Sequence, residues 1–389
     1  MNPYLLTLLC YGAMMSLAIG LNLLPVFLTS LSATFGGSAG LTQEQLGRLG
    51  ATGFTGLVLG ILVTGPLADR WGPKGFTLAG NGIISASLAG MSFAPDYGIF
   101  CATIFCLGLG AGILDMILSP VVAALNPDRR SATMNWLHSF YCVGAVVTIL
   151  AGTVALRIGL GWRHACLVLL PLPLALLGSF AQLPFPELVT GQGQRLPMRR
   201  LLREWWFAGA LIAIFLGGAT ELGMAQWLPA YTETSLGFPR WIGGVALLLF
   251  SVAMAAGRMI VGAVGTRINP FTIMAWGCGS SVCLFLLGSF LSVPLAALVA
   301  CVAVGFTGSA LWPTLLAVTA DRYPLGGASM FAALAALGNA GGILMPWVVG
   351  WVGDLVNLRW GLAVSGLAPL LMLPLVLLLK RRNIGVNVD

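Results

Sequence analysis

The chain reads LVLGILVTGPLADRWGPK over residues 57–74, an apolar run that ends abruptly in a charged turn. The apolar run extends back to about residue 44. Crossing the roughly 30 Å hydrocarbon core of a bilayer takes about 20 helical residues. A helix over residues 44–68 is therefore long enough to cross a membrane. The pattern predicts a membrane-spanning helix that is followed by a short polar loop.

The same alternation of apolar run and polar connection recurs along the whole chain. Hydrophobic residues make up 58% of the 389 positions and charged residues 8%, with a mean hydropathy of +0.95. A soluble domain carries about 25% charged residues. The sequence therefore predicts an all-α integral membrane protein with twelve spans, at roughly 4–31, 44–68, 75–94, 98–124, 132–156, 163–183, 205–231, 240–264, 270–291, 294–319, 326–350 and 360–379.

One long polar connection divides the chain near its middle. It predicts an N-terminal six-helix bundle over 1–183, a cytoplasmic linker over 184–204, and a C-terminal six-helix bundle over 205–389 that ends in a short basic tail. Small residues allow membrane helices to approach closely. Glycines in spans 4 and 11 are therefore expected to form helix contacts: Gly108, Gly110, Gly112, Gly338, Gly341 and Gly342.

The distribution of basic residues predicts the orientation of the spans. Of the 19 Lys and Arg residues, one (Arg258) lies inside span 8, and five lie on one face of the predicted topology: Arg48, Arg157, Arg163, Arg240 and Arg359. The remaining thirteen lie on the other face, which the positive-inside rule makes cytoplasmic. The prediction is a multi-pass protein of the bacterial inner membrane with both termini in the cytoplasm. Arg258 is expected near the cytoplasmic end of span 8, where a long side chain can snorkel.

Several functional classes are excluded by what the sequence lacks. The net charge of +7 comes from short clusters between apolar runs and not from a basic stripe, so nucleic acid is not an expected partner. The eight cysteines form no CxxC pair, and the chain has only two histidines. HExxH, GxSxG and Walker motifs are absent. No metal, no cofactor and no enzymatic activity are therefore expected, and the N-terminus is interpreted as a retained first span.

The turn after span 2 carries a specific motif over residues 65–74, GPLADRWGPK. It resembles the signature loop of the major facilitator superfamily, with matching residues Gly65, Asp69, Arg70, Gly72 and Lys74. The resemblance implies two six-helix bundles, transport by alternating access, monomeric function, and a cytoplasmic latch formed by this loop. The corresponding position after span 8 has Gly257, Arg258 and Gly262 but lacks the Asp.

A narrower resemblance involves spans 4, 5 and 7. Span 4 ends its glycine run at Asp115, span 5 contains Asn135 and His138, and span 7 places Glu221 before Trp227-Leu-Pro. These features resemble the fucose-permease-like branch of proton-coupled sugar importers. The acidic residue of that branch in span 1 has no counterpart, and Asn22 is the nearest polar residue. The resemblance implies proton-coupled uptake of a sugar or a similar small polar solute.

Asp115 and Glu221 are the acidic residues that lie well inside predicted spans. A charge at the bilayer centre costs about 2.5–3.5 kcal/mol on insertion scales, so such residues are usually paired or functional. We expect Asp115 to couple transport to protons together with His138, or else to bond Ser119 or Asn135. We expect Glu221 to bind substrate, or else to pair with a basic or amide group on a neighbouring helix.

Further polar and aromatic side chains complete the predicted substrate site. Amides and carboxylates hydrogen-bond to sugar hydroxyls, and an indole stacks on the C–H face of a sugar. The substrate-binding candidates besides Glu221 are Gln226, Trp227, Asn135, Asn22, Asn339 and Trp312. Trp312-Pro313 is also expected to kink span 10. Amides serve equally well as interhelical contacts.

Proton-driven efflux of drugs or metabolites on the same fold is the alternative function. Exporters of that kind usually carry a Gly-Pro motif in span 5, which here reads GAVVTILAG over residues 144–152. The missing motif favours import. A passive channel would explain the spans but not the latch loop. The identity of the solute, the direction of transport and the choice between proton and sodium stay open at this level.

Overall fold

The computed structural model describes residues 3–126, 130–186, 198–264, 268–323 and 327–383. Within these ranges the regular secondary structure is entirely helical. The described residues include twelve stretches that are long and apolar enough to cross a membrane. The prediction of an all-α protein with twelve spans is therefore confirmed.

The chain divides into two compact units. Unit 1 comprises Met1–Leu41 and Leu49–Gly191, and unit 2 comprises Thr42–Arg48 and Gln192–Asp389. The first eight helices are α1 (Pro3–Val26), α2 (Leu28–Phe35), α3 (Gln43–Trp71), α4 (Pro73–Phe93), α5 (Tyr97–Leu125), α6 (Arg130–Arg157), α7 (Trp162–Leu169) and α8 (Pro171–Gln182). The others are α9 (Met198–Leu201), α10 (Trp205–Thr234), α11 (Arg240–Val264), α12 (Pro270–Phe290), α13 (Pro294–Gly308), α14 (Leu311–Arg322), α15 (Gly327–Leu355), α16 (Leu358–Ser365) and α17 (Leu367–Asn383).

Ordinary helix-start signals fix many of these boundaries. Proline stands at the first position of α4, α8, α12 and α13, where its missing N–H leaves no bond unmade. The side chains of Asp96, Asn269 and Asn357 accept hydrogen bonds from the first-turn N–H groups of α5, α12 and α16. The polar connections between apolar runs therefore define where the helices begin.

Glycines bring α5 into close contact with two neighbouring helices in unit 1. A Cβ at Gly108 would collide with the carbonyl oxygen of Gly53 on α3, and one at Gly112 would collide with that of Leu57. Gly110, on the other side of α5, lies against α4, where its Cβ would be 2.9 Å from the Gly80 oxygen. The predicted contact role of these glycines is confirmed.

Unit 2 is built around α10, which packs along α15. Their close approach again depends on glycine, because a Cβ at Gly341 would collide with the carbonyl oxygen of Phe215. Large side chains such as Trp206 and Phe207 are fully buried in the same unit. This packing fixes the position of the central residues of α10.

Four predicted spans are pairs of shorter helices. The breaks lie at Phe27 between α1 and α2, at Leu170 between α7 and α8, at residues 309–310 between α13 and α14, and at Gly366 between α16 and α17. Pro171 begins α8, and Pro313 lies in the first turn of α14. The break at residues 309–310 lies just N-terminal to Trp312-Pro313, where the kink is predicted.

The first turn of α3 belongs to unit 2. The Asp354 carboxylate on α15 accepts hydrogen bonds from the backbone N–H groups of Gln43 (2.7 Å) and Glu44 (2.6 Å). The Trp347 indole donates to Glu44 Oε1 at 2.7 Å. Asp354 thus caps the positive end of α3 from another helix.

Candidate functional site

An ion pair joins the middle of α10 to α11 inside the predicted membrane region. Glu221 lies near the centre of α10, and its Oε2 is 3.1 Å from Arg258 Nη2. The Glu221 side chain is 20% exposed and the Arg258 side chain is 32% exposed. Pairing lowers the cost of placing each charge in a low-dielectric region. Of the two predicted roles for Glu221, the structure shows the pairing with a basic group on a neighbouring helix.

The expectation that Arg258 snorkels toward the cytoplasmic end of α11 is wrong. Side chains on a helix lean toward its N-terminus, which for Arg258 is the direction of the middle of the span. The guanidinium accordingly meets Glu221. Its neighbour Gly257 makes this approach possible, because a Cβ there would collide with the Ser309 side chain and lie 2.7 Å from the Phe306 carbonyl oxygen.

The break between α13 and α14 supplies a second partner for Arg258. Arg258 Nε donates a hydrogen bond to the carbonyl oxygen of Ser309 at 3.3 Å. In a continuous helix this oxygen would accept from the N–H of residue 313. That residue is Pro313, which has no N–H. The proline therefore leaves the Ser309 carbonyl without a helical partner, and Arg258 uses it.

An aromatic side chain packs against the middle of α10. The Trp312 ring lies against Gly218 on α10 and Gly338 on α15, because a Cβ at either glycine would meet ring atoms of Trp312. Gly218 is three residues before Glu221, so both face the same side of α10. Asn339, beside Gly338, donates from Nδ2 to the Ala335 carbonyl oxygen on its own helix at 3.0 Å.

The remaining candidates on α10 are deeply buried. Trp227 is 1% exposed, and its Nε1 donates to the Pro346 carbonyl oxygen on α15 at 2.9 Å. Gln226 is 3% exposed, and its Nε2 has no hydrogen-bond partner among the described residues. The structure gives Trp227 a packing role, and the contact of both side chains with substrate stays a prediction.

Most of the chain matches the model of a known protein family. The model of the Major Facilitator Superfamily matches residues 5–329 of the chain. The chain belongs to this superfamily. Its family and fold are those of transporters and not of enzymes.

The known proteins to which this facilitator is similar are named for different substrates. It is 26% identical over 346 residues to the gentisate transporter of Corynebacterium glutamicum, covering 84% of this chain and 75% of the relative. It is 25% identical over 349 residues to the 3-(3-hydroxy-phenyl)propionate transporter of Escherichia coli, covering 86% of both. A D-xylose-proton symporter of known structure aligns with a TM-score of 0.74 and 15% identity, over 95% of this chain and 97% of that one. This last similarity shows the fold alone.

Unit 1 of the facilitator carries the other predicted residues. Asn22 on α1 donates from Nδ2 to the Ala18 carbonyl oxygen (2.8 Å) and to Tyr141 Oη on α6 (3.5 Å). Asp115 lies on α5 and is partly buried. Asn135 and His138 fall on α6, but their side chains lie outside the described part of the chain. Tyr141 was not predicted, although it follows His138 by one helical turn.

The predicted latch of the facilitator is only partly described. Gly72 has a φ of +74°, a left-handed conformation that favours glycine, and it precedes α4. Lys74 Nζ donates to the Ala181 carbonyl oxygen at the end of α8, at 2.9 Å. The side chains at Gly65, Asp69 and Arg70 lie outside the described residues. The latch function stays a prediction.

Besides Tyr141, the partners of Glu221 and Arg258 were not predicted: neither the pairing of Arg258 with Glu221 nor that of the Ser309 carbonyl with Arg258 was expected from the sequence. A signal for Arg258 was present, because it is the basic residue inside a span of the second half, where Glu221 is the matching acid. Intramembrane charges usually pair with each other or with backbone carbonyls. The proline four residues after Ser309 was the corresponding signal for the free carbonyl.

Proposed function

We propose that the protein is a secondary active transporter that imports a small polar solute by alternating access, driven by protons. The observation that carries this proposal is the Glu221–Arg258 ion pair, which is placed inside the membrane region and keeps part of both side chains accessible. Ionisable residues in that position usually face the bundle interior or a water-filled cavity and mark substrate or ion pathways.

The proposed proton carrier is Asp115, with His138 as its partner. Asp115 lies within the span Tyr97–Val122 and is not fully buried. An acidic side chain inside a span is usually paired or functional, and such residues form the proton relays of many transporters. The proposal includes a bacterial inner-membrane location with both termini in the cytoplasm, a monomer as the working unit, and the loop over residues 65–74 as the cytoplasmic latch.

A sugar is the first proposed substrate class. It is supported by the resemblance of spans 4, 5 and 7 to sugar importers, and by hydrogen-bonding side chains such as Asn339 and Gln226 near or on α10. A small anion is the second class, and Arg258 is the observation that favours it. The relatives named for gentisate and for 3-(3-hydroxy-phenyl)propionate support the second class, since both names denote aromatic acids.

Uptake into proteoliposomes tests the proposal. The purified protein is reconstituted, an inward proton gradient is applied, and uptake of labelled sugars and labelled small acids is followed with and without an uncoupler. We expect accumulation above equilibrium that the uncoupler abolishes. Efflux against the same gradient, or passive equilibration without accumulation, would contradict proton-driven import.

One substitution tests the proposed role of Asp115. In Asp115→Asn we expect accumulation to be lost while exchange of solute across the membrane continues, because exchange requires no net proton movement. The matched control is Asp96→Asn on the same helix, since Asp96 lies at the start of α5 and caps it. Undiminished accumulation in Asp115→Asn would refute the coupling role.

A further inference from the structure

We propose that Arg258 binds the carboxylate or a comparable oxyanion of the transported solute, and that Glu221 occupies this position in the ligand-free protein. The inference rests on the proposed function, because it names the solute class that the transporter takes. It reverses the predicted role of Glu221. On this reasoning Glu221 competes with the solute and does not bind it.

The pair has the geometry of a contact that can be exchanged. An arginine and a carboxylate at their strongest form two parallel hydrogen bonds. Here a single bond joins Arg258 Nη2 to Glu221 Oε2, and Arg258 Nη1 has no hydrogen-bond partner among the described residues. Glu221 thus bonds one of the two terminal nitrogens of the guanidinium. A free carboxylate can reach both terminal nitrogens once Glu221 moves away.

The Nε side of the guanidinium has a fixed partner. Arg258 Nε donates to the Ser309 carbonyl oxygen, which Pro313 leaves available. The close approach of Gly257 to Ser309 holds α11 at this distance. A binding group that is oriented before its ligand arrives loses less conformational freedom on binding. Arg258 is therefore held through Nε, while Nη1 keeps its hydrogens available to a ligand.

The positive charge of Arg258 favours an anion once Glu221 has moved away. A neutral sugar meets a pair whose charges already cancel, so it gains only ordinary hydrogen bonds. An oxyanion that replaces the Glu221 carboxylate gains charge-assisted bonds to Arg258, which are about twice as strong as neutral ones. Removing the negative charge of Glu221 should therefore strengthen oxyanion binding. The same change should weaken a sugar that depends on Glu221 as its acceptor.

The test measures binding to the purified full-length protein in detergent. The oxyanion probes are benzoate, lactate and nitrate, and the uncharged probes are benzamide and D-xylose. Benzamide has nearly the shape of benzoate without its charge. Melting temperature and intrinsic tryptophan fluorescence are recorded against probe concentration. We expect at least one oxyanion to bind while benzamide and D-xylose do not.

Four variants separate a binding role from a structural one. We expect Arg258→Gln to weaken oxyanion binding about tenfold or more, and Glu221→Gln to strengthen it about tenfold. The controls are Arg240→Gln and Glu233→Gln, which remove the same charges from the same two helices at an exposed ion pair of 2.8 Å. Both controls should bind the oxyanion as the unaltered protein does.

The double variant Glu221→Gln with Arg258→Gln keeps the test decisive if a single variant fails to fold. It leaves no uncompensated charge, so it should fold and yet fail to bind the oxyanion. The inference is overturned if no oxyanion of the panel binds, if Arg258→Gln binds as well as the unaltered protein, or if Glu221→Gln weakens binding. Proton-driven sugar uptake without oxyanion binding would overturn this inference and leave the proposed function standing. Oxyanion binding without gradient-driven uptake would overturn the proposed function and leave this inference standing.

Discussion

Separating the two charges of the Glu221–Arg258 pair should cost far more stability than removing both. The perturbation is a double-mutant cycle with Glu221→Gln, Arg258→Gln and the double variant. Each single variant leaves one ion in the interior of unit 2 without its counter-ion. The double variant replaces both ions by neutral amides of similar size. The cycle therefore isolates the interaction between the two side chains.

The magnitude follows from burial. Removing one partner of a fully buried pair destabilises a protein by about 3–5 kcal/mol. The two side chains here retain 20% and 32% exposure, so solvent screens part of the interaction. We therefore expect a coupling energy of about 2 kcal/mol between Glu221 and Arg258, well below the limit for complete burial.

The same two helices provide the control cycle. Glu233 and Arg240 pair at 2.8 Å; Glu233 is 21% exposed, much like Glu221, but Arg240 is 50% exposed. Exposed pairs are worth about 0.2–1 kcal/mol. The free energy of unfolding is measured by titration with sodium dodecyl sulfate in mixed micelles, for both cycles under the same conditions. Coupling of Glu221 to Arg258 should exceed that of the control pair by at least about 1 kcal/mol.

Additivity would refute the reasoning. If the two single variants at Glu221 and Arg258 sum to the double variant within about 0.5 kcal/mol, the side chains do not interact energetically. Equal coupling in both cycles would likewise show that the environment of Glu221 is as polar as that of Glu233. Either result would remove the ion pair as a basis for function.

Three further substitutions test the surroundings of the site and the cap on α3. Changing Pro313 to Ala supplies an N–H for the Ser309 carbonyl oxygen, so oxyanion affinity measured by fluorescence should fall about threefold to tenfold while the free energy of unfolding changes by about 1 kcal/mol or less. Changing Gly257 to Ala should lower stability by about 1–3 kcal/mol because the new Cβ has no room, whereas Gly279→Ala, with open space around it, should raise or preserve the melting temperature. Changing Asp354 to Ala removes both acceptors at the start of α3 and should cost about 1–2 kcal/mol of unfolding free energy, with Asp354→Asn costing less.

Each of these three expectations has a clear contrary result. Unchanged affinity in Pro313→Ala would mean that the bond to the Ser309 carbonyl does not orient Arg258. Equal melting temperatures for the alanine variants of Gly257 and Gly279 would show that α11 moves away without cost. An Asp354→Ala protein as stable as the unaltered one would show that the cap is replaced by water.

The fold could be predicted because a membrane-spanning helix requires a long apolar run, and such runs are visible in the sequence. A helix must be long and apolar to cross the hydrocarbon core of a bilayer. The connections between such helices are recognisable from polar residues and from helix-starting prolines, as at the first positions of α4 and α13. The breaks inside spans were harder to predict. Residue 170 shows no break signal of its own, and the interruption there depends on Pro171 starting a new helix. The local sequence predicts the number of spans, but it does not predict which spans consist of two shorter helices.

The site could be predicted only in part. Glu221 could be identified because a carboxylate inside an apolar span costs free energy, so it is usually paired or functional. The position of Arg258 along α11 predicts a place near the cytoplasmic end, but its side chain leans toward the N-terminus of the helix and so points to the middle of the span. The packing role of Trp227 was also not evident, since its partner is the carbonyl of Pro346 on a helix more than a hundred residues away. Contacts of that kind become visible only when the helices are packed.

The bond between Arg258 and the main chain at Ser309 has a consequence for how substitutions combine. The acceptor is a backbone oxygen, so its chemistry is the same whichever amino acid occupies position 309, provided that residue is small enough to lie against Gly257. The amino acid whose identity controls the acceptor is Pro313. In a library that varies positions 258 and 313 together, selection for transport should keep arginine and proline as a linked pair. Once position 258 lacks an N–H donor, proline at 313 should become dispensable.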